Sequence, residues 1–490
     1  MIKQLKQPIF LISIIFFGIY TLMVFLNHYY FRTNALDYGF YNQAFWDFAH
    51  FQGNSNTIFY PPLDNYLQVH PAFTLIILSP LYWLFNWIFD TYTLLFIQNI
   101  FLIIGGIYTY KIVIEKTKNK LLAIIALLHY HFIWGHFSAI AFEYIDATIA
   151  SCIVPLFFYY FDKKKYLVST IAFLFIIISR ENMPIWFIFI SAFLIIIYYK
   201  DKKSVAFSGF YILASLSYLI LIYKVIVPYY ENDSLSYWGF AYSSLGENIP
   251  QAIGFIFKHP LQAIKLLFVN HSGDPLYDGI KAEFYYVFLL SGGFLLFLRP
   301  KYILLFIPII AQKMFNDHYV RWGINIFYSI EIVSILPFVA YLIIADLRKI
   351  KWIRFSNYLA IILLVSTFMT TIVKMNSRKS KWYDKSKEKI YDSRFYKSKY
   401  DLKKVYHYLD TINPELKVCA SEKVVPHLAY RKEISMFPYI GNADYIFILR
   451  DSPTYPLNKE DFNKTLSNLK NNGKWKIKID DYPVLILEKQ

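Results

Sequence analysis

The sequence predicts a mainly α-helical, polytopic membrane protein with a small α/β domain at its C-terminal end. Three observations carry this reading. Of the 490 residues, 57% are hydrophobic and 20% aromatic, and the mean hydropathy is +0.36, too apolar for a water-soluble chain of this size. Up to residue 373, apolar runs recur, many approaching the roughly 18 residues that cross a bilayer. From residue 402 they give way to short strand-like and helix-like stretches separated by turn signals.

The elements follow in order. The first apolar run, "IFLISIIFFGIYTLMVFL", comes after Lys3 and Lys6 and continues into "NHYYFRTN" without a small-residue cleavage site, so it reads as an uncleaved signal anchor. Later runs are punctuated by basic clusters at residues 111–120, 162–166, 200–203, 299–301 and 346–354. Two spans fit between successive clusters, so every cluster can face one side, which the positive-inside rule makes the cytoplasm. This also accounts for the net charge of +16 without nucleic acid. Residues 71–89, with Pro80, Tyr82, Trp83 and Trp87, read as a juxtamembrane segment within a first outer loop, 27–90. About eleven spans result, near 8–26, 91–110, 121–135, 148–161, 167–179, 185–199, 205–227, 283–298, 302–316, 324–345 and 355–373. The N-terminus is then cytoplasmic. Residues 1–373 form the transmembrane domain, 374–404 a basic linker suited to anionic lipid or a polyanion, and 405–490 a small soluble α/β domain outside the cell membrane.

The polar interruptions between the basic loops gather on the outer face. They bring Asp37, Asp47 and His70 from the first loop, then Glu143 and Asp146, Arg180 and Glu181, the long loop 228–282, and finally Asp317, His318 and Arg321. Charges near membrane depth are costly and persist where they pair or do work. Asp37 sits among Leu36, Tyr38 and Phe40, a setting that raises a carboxyl pKa by desolvation and suits a general base. Asp47, on an aromatic amphipathic stretch, is expected to face water. Arg180 and Glu181 would diverge by about 100° on a helix and so pair elsewhere. Arg321 is a head-group anchor or part of a site. His129, His131 and His136 read as an interfacial aromatic and histidine belt, with metal ligation the lesser alternative. Cys152 and Cys419 support neither a disulfide framework nor a thiolate site. No nucleotide-binding loop, nucleophile elbow or H-E-x-x-H motif occurs.

In the C-terminal portion, "LKKVYHYLDTI" and "KEDFNKTLSNLKNNG" read as helices, "LKVCAS" and "ADYIFILR" as strands, and "KWKIKI" and "YPVLILEK" as a hairpin. "EKVVPHLAY" reads as a short helix or turn. Nothing there looks catalytic, and His427 reads as a turn residue.

The stretches "LDYGFYNQAFW", "QVHPAFTLIILSPLYWLF", "FEYIDATIASCIVPLFFYYF", "SRENMPIW", "NDHYVRW" and "VCASEKVVPHLAYRKEISMFP" occur in this order. Together they resemble the prokaryotic membrane family called domain of unknown function 2079. That family is similar to the GT-C glycosyltransferases, membrane enzymes using lipid-phosphate sugars on the outer face. The resemblance implies a GT-C-like bundle with juxtamembrane helices in the first outer loop, and gives Asp37 the catalytic position. It departs from the pattern where "FEYIDA" replaces a histidine and proline before an acid, and where Arg180 replaces a lysine.

The expected function is transfer of a sugar from a polyprenyl-phosphate donor to an acceptor glycan, lipid or protein, with Asp37 taking the acceptor proton. Arg180 or Arg321 would hold the phosphate. His70, Glu143, Asp146, Glu181 and His318 complete the substrate-binding candidates. Asp37, Glu143 and Asp146 are weak candidates for a divalent cation, Mg²⁺ or Mn²⁺, whose need stays open. The alternative is a transporter or flippase for a lipid-linked or polar solute, for which the sequence offers no internal repeat and no mid-span charge.

Overall fold

The computed structural model describes residues 8–53, 55–230, 240–348 and 353–490. Lys3 and Lys6, residues 231–239 of the long loop and residues 349–352 of the last basic cluster lie outside the described residues. The chain is mainly helical with a small C-terminal sheet. It divides into two compact units. The first comprises Met1–Tyr20, Gln98–Glu231 and Ser236–Lys389, the second Thr21–Ile97, Asn232–Leu235 and Ile390–Gln490.

Among the described residues six helical stretches are long and apolar enough to cross a membrane: Pro8–Tyr29, Pro80–Thr117, Lys120–Phe142, Lys202–Tyr230, Ile330–Leu347 and Phe355–Asn376. The second breaks at Asp90, where φ is +43°, into Pro80–Phe89 and Thr93–Thr117. Tyr166–Ile177 and Met183–Ile197 are shorter apolar helices. The spans expected at 283–298 and 302–316 are instead short pieces. Ile280–Leu290 stops before Gly292, whose φ of +108° a helix cannot continue through, and Pro300 and Pro308 interrupt the next stretch.

Burial separates inner from outer helices in the first unit. Lys120–Phe142 and Ile330–Leu347 are each 78% buried over their apolar windows, against 22% for Lys202–Tyr230 and 33% for Phe355–Asn376. The outer helices present Leu213, Ile220, Ile362 and Val365 outward. A contiguous apolar face of this kind belongs against lipid.

The first part of the basic linker is tied down by buried charge. Glu283 accepts from Lys374 Nζ at 2.9 Å, from the Lys379 and Ser380 amides at 2.7 and 2.8 Å, and from Ser380 Oγ at 2.8 Å. Arg378 forms a buried two-pronged pair with Glu388 and donates to Asn325 Oδ1 at 2.7 Å. Lys374 and Arg378 are therefore spent inside the protein, not on a polyanion as the composition suggested. A sequence alone does not reveal that Glu283, about ninety residues upstream, is their partner.

The second unit holds the C-terminal sheet, with strands β1 (Val418–Ala420), β2 (Ile434–Met436), β3 (Tyr445–Leu449), β4 (Trp475–Asp481) and β5 (Val484–Lys489). Their order is β2-β1-β3-β5-β4. β1 runs parallel to β2 and β3, and β5 is antiparallel to β3 and β4. The three-residue β2 was not expected, being too short to show a period. One face packs under the Lys459–Asn471 helix, with Ile446, Leu485 and Leu469 in its core. The other face, including Val418, Phe447 and Ile486, shares a core with Phe31, Ala35 and Ile58 of the first loop. Burial of these side chains holds loop and sheet together, each contributing about 1.5–3 kcal/mol.

Candidate functional site

In the second unit, Asp37 lies half-buried in a π-helical turn, Ala35–Gly39, that leads into the Phe40–Ala49 helix. Single π turns occur often where a side chain must be re-aimed for function. Several polar contacts from the C-terminal domain seat this turn. Lys423 donates to Asn34 Oδ1, and Asn42 Nδ2 donates to the Thr91 and Pro426 carbonyls at 3.1 and 3.4 Å. Thr57 Oγ1 donates to the Ile434 carbonyl at 2.7 Å and accepts from the Ile434 amide at 3.0 Å. His427 is half-buried in its turn and stacks on His28, centroids 3.9 Å apart. Burial holds its imidazole at about 3, so it stays neutral. His70 follows the Tyr66–Gln68 turn and is half-buried.

Asp47 does not face water. It is 4% exposed on the Phe40–Ala49 helix, and burial pushes its carboxyl up to about 8. The helix is short and covered on both sides, so its polar face has no solvent to meet.

In the first unit, Arg180, Glu181 and Arg321 come together in an open cleft of about 660 Å³, with Asn182, Lys313 and Glu331 beside them. The Arg180 guanidinium lies over the Phe327 ring at 5.1 Å, and that of Arg321 over the Tyr328 ring at 5.5 Å. Such stacking holds each guanidinium by its face. Arg180 Nε also approaches Glu181 Oε1 at 3.8 Å. The expectation that these neighbours would not meet assumed a helix, but residues 180–182 form the non-helical turn before Met183–Ile197. Asn182 Nδ2 donates to Glu331 Oε1 at 3.2 Å, and the buried Lys313 donates to the Gly323 and Tyr328 carbonyls. Among the described residues Arg321 has no carboxylate within ion-pair distance. Sequence reasoning missed Lys313 and Glu331, since each lies within an apolar run that read as a span.

Glu143 and Asp146 are both buried. Glu143 faces Lys387 Nζ at 3.7 Å, and Asp146 accepts from Tyr144 Oη at 2.7 Å. Gln98, missed in the sequence, braces this loop from both sides: Nε2 donates to the Glu143 carbonyl at 3.0 Å and Oε1 accepts from the Ile145 amide at 2.9 Å. His318 is exposed at the start of the Tyr319–Trp322 turn and does not line the cleft. Asp317 instead accepts from Ser243 N and Oγ at 2.9–3.0 Å, fixing the loop before the Ile249–Lys258 helix.

The histidines of "HYHFIWGHF" are packing residues within the helices. His131 Nδ1 meets Tyr20 Oη at 3.1 Å, His136 Nδ1 the Tyr130 carbonyl at 2.7 Å and His129 Nε2 Thr367 Oγ1 at 3.2 Å. All three are fully buried, which an interfacial belt would not require. Among the described residues no group of three or more His, Cys, Asp or Glu is placed to hold a metal ion.

Compared with models of known families, the chain matches the one described as "Predicted membrane protein (DUF2079)" over residues 27–485. No curated protein matches it.

Proposed function

We propose, from the premise that the chain belongs to the DUF2079 family of predicted membrane proteins, that it is a membrane glycosyltransferase of the GT-C kind. It would transfer a sugar from a polyprenyl-phosphate-linked donor to an acceptor on the outer face. The observation that supports this reading is the cleft lined by both Arg180 and Arg321, whose guanidinium groups lie over Phe327 and Tyr328. Two guanidinium groups on aromatic backing suit a phosphate ester carried on a hydrophobic chain. Glu331 and Asn182 supply an acceptor and an orienting amide for hydroxyl groups beside it.

In the proposed reaction an acceptor oxygen bonds to the anomeric carbon, the bond from that carbon to the phosphate oxygen breaks, and polyprenyl phosphate leaves with the electron pair. The acceptor proton passes to a carboxylate, the role the family resemblance gives Asp37. The π turn that carries Asp37 and its partial burial are consistent with that role. Under this topology the basic loops are cytoplasmic and the cleft opens outside.

The phosphate and proton roles are tested separately. Purified protein in lipid should be stabilised saturably by polyprenyl phosphate, and the Arg180→Ala, Arg321→Ala double variant should lose the cleft's share of that response, read as a smaller maximal rise in midpoint. Transfer should then fall by about 10²- to 10⁴-fold in Asp37→Asn. Full transfer by a folded Asp37→Asn protein would remove the mechanism. Movement of a lipid-linked solute across vesicles with no transfer product would put the flippase reading in its place.

A further inference from the structure

Three helices that shape the arginine cleft at their N-terminal ends line a second cavity at their C-terminal ends. Asp146–Asp162 runs from Ala147 at the cleft to Phe158 and Asp162 at the second cavity. Met183–Ile197 runs from Trp186 to Leu194, and Ile330–Arg348 from Glu331 to Leu342. At 1.5 Å per residue the two cavities are separated by about 12–23 Å along these helices, roughly half of a bilayer's hydrocarbon thickness. The second cavity measures about 970 Å³ including its open mouth.

Its wall and rim differ in chemistry. Phe158 anchors the wall, 5.3 Å from Phe338 and 6.4 Å from Phe193 between ring centroids. The rim is charged and mostly self-paired. Glu115 is held by Lys163 at 2.7 Å and Lys118 at 3.0 Å, Asp162 by Lys116, and Asp346 by Arg299 at 3.7 Å. Lys301 lines the mouth over the Tyr302 ring at 5.3 Å and forms no ion pair among the described residues. The lining itself holds three carboxylates and two lysines, and each of the three carboxylates is paired, with Lys118, Lys163 and Arg299 adding positive charge just outside it. An apolar chamber whose carboxylates are neutralised and whose Lys301 is left over, at the end that carries the basic loops, fits an anionic amphiphile.

We propose that this cavity is a second lipid site, taking a phosphate-bearing amphiphile with its chain against Phe158, Phe193 and Phe338 and its head group at Lys301. The shared chemistry is a phosphate ester on a long hydrocarbon, whether an anionic membrane phospholipid or a polyprenyl phosphate. The site does not depend on sugar transfer in the arginine cleft.

The test uses full-length protein in phosphatidylcholine nanodiscs, titrated with phosphatidylglycerol or polyprenyl phosphate and read by thermal midpoint. The Arg180→Ala, Arg321→Ala protein is the background, so that a failure of the cleft reading leaves this test intact. In that background a saturable rise in midpoint is expected. Lys301→Glu should raise the half-saturating lipid fraction about tenfold, the equivalent of one lost charge-assisted contact. Leu342→Trp, which fills the chamber, should abolish the response. If Leu342→Trp fails to fold, Lys301→Glu on the exposed rim still decides. A response to phosphatidylglycerol assigns a membrane phospholipid; a response to polyprenyl phosphate alone assigns an isoprenoid. No response to either lipid, or a response unchanged by Lys301→Glu, overturns the proposal.

Discussion

Gln98 holds Glu143 in a backbone conformation that ordinarily needs glycine. Glu143 closes the Trp134–Phe142 helix at φ +151° and ψ −156°, a region that costs a side-chain-bearing residue about 1–3 kcal/mol. Both arms of the Gln98 amide bond across it, to the Glu143 carbonyl and the Ile145 amide. Gln98→Ala removes both of those buried bonds at once and is expected to cost about 1–3 kcal/mol. Glu143→Gly removes the strain, while Lys387, on the other side of the ion pair, retains some access to water. Its thermal midpoint should be no lower than wild type, so the pair of variants separates backbone strain from carboxylate function.

Asp47 gives a pH dependence with a definite sign. Its carboxyl is pushed up to about 8 in the fold against 3.8 in the unfolded chain. Between those values the folded state holds a proton that the unfolded state has released, so stability from this group falls as pH rises. It is fully present below about pH 4 and fully lost above about pH 8, by at most about 1.4 kcal/mol per unit. Asp47→Asn should flatten the change in midpoint between pH 5 and 8 and raise the midpoint at pH 8. An unaltered pH profile in that variant would show that the wild-type carboxyl is ionised in the fold.

What the sequence disclosed and what it hid follow from the range of the interactions. The apolar runs, the break near Pro80–Phe89 and most of the C-terminal elements were legible because periodicity and turn residues are local. So was the pairing of Arg180 and Arg321 as candidates, since guanidinium groups among apolar residues stand out. Gln98, Lys313 and Glu331 were not, because a polar residue inside an apolar helix shows its purpose only when its partner is known. The Arg180–Glu181 contact was misjudged for a local reason: two or three residues outside a helix undo the 100° rule. The seating of the Asp37 turn on Val425–His427 joins positions nearly four hundred residues apart, beyond any sequence period.

Glu283 anchors the segment after the last long helix. With four donors around a buried carboxylate and Lys374 among them, its removal strands a cation and two amides. Glu283→Ala is expected to cost about 3–5 kcal/mol, as breaking a buried pair from one side does. Lys374→Met, which leaves the carboxylate its two amides and one hydroxyl, should cost distinctly less. Limited proteolysis at residues 374–389 checks the same point independently: Glu283→Ala should expose this segment while wild type protects it.

Gly105 and Gly106, on the Thr93–Thr117 helix, leave room for the Tyr130 and His131 side chains of the Lys120–Phe132 helix. A Cβ at Gly105 would lie 2.1 Å from Tyr130 Oη and 2.9 Å from the Cys152 carbonyl, and one at Gly106 would lie 2.6 Å from His131 Nε2. Small residues at such crossings let helices pack by van der Waals contact where lipid offers no hydrophobic drive. Gly105→Ala must push the Tyr130 ring off its place, and with it the bond from Tyr130 Oη to Cys152 Sγ at 3.3 Å. Overpacking of this kind costs about 1–3 kcal/mol. Gly254→Ala is the matched control, since a Cβ there meets nothing within 4 Å and a helical alanine gains about 1 kcal/mol over glycine. The two midpoints should therefore move in opposite directions, and adding Tyr130→Phe to Gly105→Ala should recover part of the loss by removing the nearest clashing atom.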